Sequence, residues 1–358
     1  MSDAVQEFLD RVNKTYGGTV VRTGTQSIEA LQIRRFSTGV LSADCALGGG
    51  WPFGRICLIA GEYSSGKTLL ALKAAERVTE CDSATHLHRS RVDPDKFSPC
   101  RALFVDAEGS YDLDWAIANG WNSDLHCVAQ PEYAEQTIDI VSDAIRENVF
   151  DLIILDSIAA LTPTKEISES SEDWQMGLGA RLCNKAMRKW TANLAKTGQQ
   201  SDVGGPCVIA LNQFRLKIGL MFGDPRTLPN GKGQEFAASI IMYMKSSKVV
   251  DDEKEEHGFG EYGGYTLKNK TFVPKCNFKF RMALKDHPDW KKGQIDNVKQ
   301  LMALCRKYGL VTKDSTKWQC NGQQYKTLTE IKEKLALDEA FYLLMWRSVV
   351  KAFGGAVV

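Results

Sequence analysis

Gly61-Glu62-Tyr63-Ser64-Ser65-Gly66-Lys67-Thr68 restricts this chain more than any other stretch. It follows the spacing G-x-x-x-x-G-K-T. Glycines let the backbone turn tightly, so successive N–H groups converge on one point. A helix starting directly afterwards adds the positive end of its dipole. The result is a cradle for phosphate oxygens, the Walker A loop. The flanks suit it. Residues 55–60 are a short apolar run that fits a buried strand, and residues 69–78 are rich in helix formers. Lys67 is then placed to reach the β- and γ-phosphates of ATP, and Thr68 to hold Mg²⁺.

Bulk properties set the frame. The chain has 358 residues, 43% hydrophobic and 25% charged, which suits one large core with small appendages. A net charge of +1 means that any nucleic-acid surface is a local patch. No run approaches a membrane span, and residues 1–10 lack the pattern of a signal peptide. Ten scattered Cys without CxxC pairs fit a reducing cytoplasm.

Organisation follows from the alternation of apolar runs with helical periodicity. Residues 1–35 carry an amphipathic helix from Asp3 to about residue 14 and a short strand at 19–22. So small a unit must dock, either on its own core or on a neighbouring copy. Residues 36–284 alternate strand and helix, as in a mostly parallel sheet. Residues 81–99 interrupt that core as a polar surface insertion, and 249–263 read as an acidic, Gly-rich solvated turn. Residues 285–358 change composition. They read as a small α+β domain with helices near 294–307 and 328–352 around a polar region at 312–325.

Several strand ends carry chemistry. Residues 152–155 are apolar and end in Asp156, a Walker B arrangement whose carboxylate would hold Mg²⁺. Glu108 follows another strand, where a carboxylate activates water or merely caps a turn. Residues 207–211 end in Asn212 and Gln213. An amide there either senses a γ-phosphate or satisfies its own turn. The loop at 214–234 mixes Arg215, Lys217, Arg226 and Lys232 with Ile218 and Phe222. Cations beside insertable apolar groups suit single-stranded nucleic acid, or else a protein partner. Arg181, Lys185 and Arg188 share one helix face, a phosphate track or a solvated surface. Cys81, His86, His88 and Cys100 in the insertion offer two sulfurs and two nitrogens for Zn²⁺, at a spacing that matches no standard finger.

In this order the pieces resemble the RecA family of DNA strand-exchange proteins, along most of the chain. Residues 36–50, Leu161-Thr162-Pro163, and 176–181 with 186–189 fit its pattern. Residues 212–225, Asn-Gln-Phe-Arg-Leu-Lys-Ile-Gly-Leu-Met-Phe-Gly-Asp-Pro, resemble its second DNA loop nearly residue for residue. The resemblance implies a RecA-type P-loop ATPase core with a mostly parallel central sheet, a small N-terminal element and a small C-terminal domain. It implies Glu108 as the catalytic glutamate and Gln213 as the amide coupling γ-phosphate to DNA. Asp112 and Trp115 would contact adenine. Lys268 and Lys270 would reach the phosphate held by the adjacent subunit. Met176, Arg181, Arg188, Asn212, Arg215, Lys217, Ile218, Phe222 and Gly231 would contact DNA. It implies ATP and Mg²⁺ as cofactors, single- and double-stranded DNA and the chain itself as partners, and single-strand-binding or mediator proteins around them. The N-terminal element would then pack on the neighbour.

There are departures. Gly109-Ser110-Tyr111 follows Glu108, Asn230-Gly231 stands for paired glycines, Glu235 replaces a position that is often basic, and an acidic tail is missing. They fit a divergent, phage-encoded member. Two rival readings keep the Walker motifs: a hexameric RecA-fold helicase, and a filament mediator that binds ATP without turnover.

Overall fold

The computed structural model describes residues 2–17, 20–25, 32–164, 177–201, 203–216, 226–252, 255–286, 288 and 290–356. Met176, Lys217, Ile218 and Phe222 lie outside the described residues.

The frame is an eight-stranded sheet. Its members are β3 (Ile56–Gly61), β4 (Ala102–Asp106), β5 (Cys127–Ala129), β6 (Leu152–Asp156), β7 (Cys207–Gln213), β10 (Ile240–Asp252), β11 (Glu255–Asn269) and β12 (Asn277–Ala283). Their spatial order is β12-β11-β10-β3-β7-β6-β4-β5. The six strands from β10 to β5 are mutually parallel, and β11 and β12 add an antiparallel edge. Strands β3, β4 and β6 are buried throughout, because helices cover both faces. Alternate residues serve opposite cores. Cys57 and Ile59 join the layer of helix α2 (Leu41–Leu47) and helix α3 (Lys67–Val78). Ile56, Leu58 and Ala60 join the layer of helix α5 (Ala134–Glu147) and helix α6 (Leu178–Gln200).

The C-terminal region has its own apolar cluster. It is built from helices α8 (Asn297–Lys307), α9 (Leu328–Leu337) and α10 (Glu339–Ala352) around a three-stranded antiparallel sheet over 311–325. Leu41 and Cys45 of α2 enter that cluster and tie it to the core.

Three local expectations are corrected. Residues 249–252 and 255–263 are not a solvated turn; they belong to strands β10 and β11, whose pairs include Val249 with Gly260 and Val250 with Phe259. Their acidic composition masked the strand pairing of the edge. The helix expected over 328–352 is two helices. Asp338 ends α9 and accepts the Phe341 N–H at 2.9 Å to cap α10. Residues 20–22 form no strand. Asn13, in helix α1 (Asp3–Tyr16), holds Val21 instead, donating to its carbonyl at 2.9 Å and accepting its N–H at 2.8 Å.

Candidate functional site

The phosphate loop leaves the carboxyl end of β3 and enters α3. Gly66 sits at φ 85°, the left-handed region, and a Cβ there would stand 2.7 Å from the Tyr262 ring. Ser65 is buried and donates to the Glu62 carbonyl at 2.8 Å, fixing the turn. Glu62, Tyr63 and Ser64 are exposed, so the outer wall of the loop faces solvent. Lys67 Nζ donates to the Glu62 carbonyl at 2.7 Å and, more weakly, to that of Gly61 at 3.4 Å. Burial lowers its pKa, against the opposing pull of Asp156 and Glu108. The ammonium therefore rests on backbone carbonyls that an anion can replace.

Thr68 Oγ1 donates to Asp156 Oδ2 at 2.8 Å, which joins the two Mg²⁺ candidates on adjoining elements. Burial raises the Asp156 pKa to about 6; Thr68 and Lys67 oppose the rise, and Glu108 and Asp106 add to it. Divalent-cation binding would reverse that rise by favouring the carboxylate. A hard-cation site of this kind matches the oxygen donors present.

Glu108 stands just beyond β4, and its backbone N–H bonds to the Asp156 carbonyl at 3.2 Å. Ser157 Oγ donates to Glu108 Oε1, and Gln213 Nε2 approaches the same oxygen at 3.4 Å. The parallel register explains the meeting. Asp106 pairs with Asp156, and Leu155 with Ala210, so Gln213 runs two residues past the ends of β4 and β6, to the level that Glu108 reaches two residues after Asp106. Ser157 was missed in the sequence; its signal is its place directly after the Walker B aspartate. Asp106 was also missed. It accepts the Ser110 and Tyr111 N–H groups and the Gln130 amide, which shapes the turn after Glu108.

Other expected residues sit in more committed settings. Asp112 accepts the Trp115 N–H at 2.9 Å and caps helix α4 (Leu113–Ala118). Trp115 packs on the core with the Lys292 ammonium 5.0 Å from its ring centre. Asn212 is fully buried and donates to Gln234 Oε1 at 2.6 Å, so its amide anchors the base of the second loop. Arg215 is exposed in the small antiparallel pair β8 (Arg215–Leu216) and β9 (Arg226–Thr227). Arg181, Lys185 and Arg188 line the exposed face of α6. Gly231, at φ 82°, turns the chain beside Ala180 of that helix. Gly231 thus sits against α6, and the Asn212–Gln234 bond closes the base of the loop that follows β7.

Lys268 and Lys270 stand elsewhere. Lys268 Nζ donates to the carbonyls of Glu235 and Phe236, and Lys270 Nζ to that of Phe236, at the end of helix α7 (Gly233–Ala237). Burial and the Lys270 charge lower the Lys268 pKa. The β-register puts Lys268 beside Ile241 and hence level with Leu58, three residues before Gly61. At roughly 3.3 Å per residue, that is about 10 Å along the sheet from the loop's first glycine.

The four residues do not form one cluster: His86 and Cys100 meet beside Asp151, and His88 turns away. His86 Nε2 lies 3.0 Å from Asp151 Oδ1, whereas His88 turns to Ser90 and Glu80.

A mostly parallel sheet whose carboxyl edge brings the Walker A threonine onto the Walker B aspartate defines the P-loop nucleotide-binding class. The RecA N-terminal domain model matches residues 3–285. The Protein RecA of Arthrospira platensis is 32% identical over 362 aligned positions, covering 99% of this chain and 89% of that protein. That of Leptospira biflexa is 34% identical, covering 90% and 75%. That of Synechococcus is 36% identical over 256 positions, covering 71% of this chain and 61% of that protein. The chain belongs to the RecA family of recombinases. No helix among the described residues is long and apolar enough to cross a membrane.

Proposed function

We propose that this chain is an ATP-dependent recombinase that forms helical filaments on single-stranded DNA and catalyses homologous pairing and strand exchange. The observation that carries the reading is the Glu108–Gln213 contact, which joins the nucleotide edge to the strand leading into the second loop.

The phosphate loop binds ATP, with Lys67 exchanging its carbonyl partners for phosphate oxygens. Thr68 and Asp156 would hold Mg²⁺, which would supply charge neutralisation at the phosphates. Glu108 orients and activates the attacking water, held in place by Ser157. Gln213 takes the γ-phosphate when it is present and Glu108 when it is absent. That exchange shifts the loop between DNA-holding and DNA-releasing states.

Lys268 and Lys270 are too far along the sheet to serve their own phosphate loop. They act instead on the ATP of the adjacent copy, as an arginine finger does. Residues 1–35 pack on that neighbour, 36–284 form the ATPase core with both DNA loops, and 285–358 form the small C-terminal domain. DNA is held mostly by its backbone, so sequence is read by pairing between strands.

The test is ATP turnover with and without single-stranded DNA, followed by strand exchange between homologous substrates. DNA-stimulated turnover with exchange supports the proposal. Duplex unwinding without homologous DNA would place the chain with hexameric motors, and ATP binding without turnover would make it a mediator.

A further inference from the structure

The amino-terminal edge of the sheet, opposite the phosphate loop, holds a second convergence of ligating groups. Cys100 precedes β4, Asp151 precedes β6, and His86 comes from the insertion at 81–99. Their ligating atoms all lie within 4.8 Å of one another. His86 is 2% exposed in its side chain and Asp151 13%, and Cys100 is fully buried.

We propose that His86 Nε2, Cys100 Sγ and an Asp151 carboxylate oxygen form a structural site for a divalent metal of the Zn²⁺ type.

Three features point that way. First, the ligand atoms are nearly spaced for it. Bonds of about 2.0–2.3 Å in a tetrahedron separate these nitrogen, oxygen and sulfur atoms by roughly 3.3–3.5 Å, so closure by about 1.5 Å at most completes the set. Second, the outer contacts orient the inner ones. His86 Nδ1 faces the Val203 carbonyl at 3.1 Å, which fixes its proton there and leaves the Nε2 lone pair turned to the cluster. Asp151 Oδ2 accepts the Arg101 N–H at 2.8 Å, leaving Oδ1 for the cluster. With Nδ1 protonated, neutral Nε2 and Asp151 Oδ1 are two acceptors 3.0 Å apart. Only a proton or a metal cation between them makes that approach favourable. Third, His86 has φ 50°, a left-handed conformation that is uncommon for a non-glycine residue. The ring stacks on Phe53 at 3.8 Å, so it is aimed by packing as well.

The donor set of nitrogen, thiolate and carboxylate selects Zn²⁺ over Mg²⁺ or Ca²⁺. Burial pushes the Cys100 thiol well above its ordinary pKa, so the metal itself must displace its proton. Binding releases that thiol proton to solvent. A water, or Cys81, fills the fourth position; Cys81 lies on the paired segment, its carbonyl accepting the Cys100 N–H at 3.0 Å. The metal would staple the insertion to the loops before β4, β6 and β7.

The test uses the full chain without an affinity tag. Purified protein should carry one Zn²⁺ per chain by elemental analysis. After removal, added Co²⁺ should produce a near-ultraviolet sulfur-to-cobalt charge-transfer band. Cys100→Ser should lose the band, and Cys127→Ser, at an exposed thiol elsewhere, should keep it. The cobalt spectrum of the unmodified chain decides the matter even where Cys100→Ser fails to fold. Substoichiometric zinc with no charge-transfer band overturns the site and leaves an imidazolium–carboxylate pair. A band that survives Cys100→Ser overturns it as well.

Discussion

The two edges of one parallel sheet behave differently. At the carboxyl edge, the polar side chains satisfy one another: Lys67 rests on its own loop, Thr68 on Asp156, and Ser157 and Gln213 on Glu108. Each of these bonds can pass to a phosphate, a metal or a water. At the amino edge and behind it, several polar side chains are tied to backbone. Asp151 holds the Arg101 N–H, and buried His126 bridges the Ala102 N–H and the Ala75 carbonyl. Nucleotide turnover needs groups whose partners are exchangeable, and the carboxyl edge gathers them; a metal at His86, Cys100 and Asp151 would instead be held in place.

This contrast can be broken from either side. Lys67→Ala should give the largest loss, on the order of 10³-fold in ATP turnover. Normal steady-state turnover would remove the phosphate loop from the account. Glu108→Gln should slow hydrolysis by roughly 10²-fold while DNA binding, followed by anisotropy, is retained. Lost binding with intact hydrolysis would reverse its role. Ser157→Ala should cost about tenfold, one charge-assisted hydrogen bond's worth, and Ser157→Thr should recover most of it.

The smallest effect belongs to the other edge. Burial lowers the His126 pKa to about 4, from 6.5 when unfolded. The unfolded chain therefore takes up the proton first. The stability tied to neutral His126 is complete above pH 6.5 and is lost as pH falls from there towards 4. That loss amounts to about 1 kcal/mol by pH 5.5. Urea midpoints for His126→Gln should be lower at pH 7.5 yet fall less steeply with acid. A slope equal to that of the unmodified chain would contradict the assignment.

Legibility in the sequence followed the same division. The phosphate loop and Asp156 stand out by local spacing at strand ends, whereas the roles expected of Glu108 and Gln213 came from the family resemblance, and the structure brings those two side chains together. The parallel core was readable because doubly buried strands are continuous apolar runs. Ser157 was not, since its role arises only when β4 and β6 align. The edge strands around 249–263 hid behind acidic composition, while their pairing is set by partners 10 or so residues away. The setting of Asn212 was hidden because Gln234, its partner, lies across the loop. Asp151 gave no sign of joining His86 and Cys100, because the three come from separate connections.

The central claim is that the carboxyl edge is half a site, completed by Lys268 and Lys270 of another copy. Mixing two inactive chains tests it directly. Lys67→Ala lacks a working loop but keeps both lysines, while the double variant Lys268→Ala, Lys270→Ala keeps the loop. If the site is shared across a head-to-tail interface, an equal mixture on single-stranded DNA rebuilds intact sites at about one quarter of junctions. ATP turnover should then recover towards that fraction of the unmodified rate. A mixture no more active than its two components would contradict the shared site.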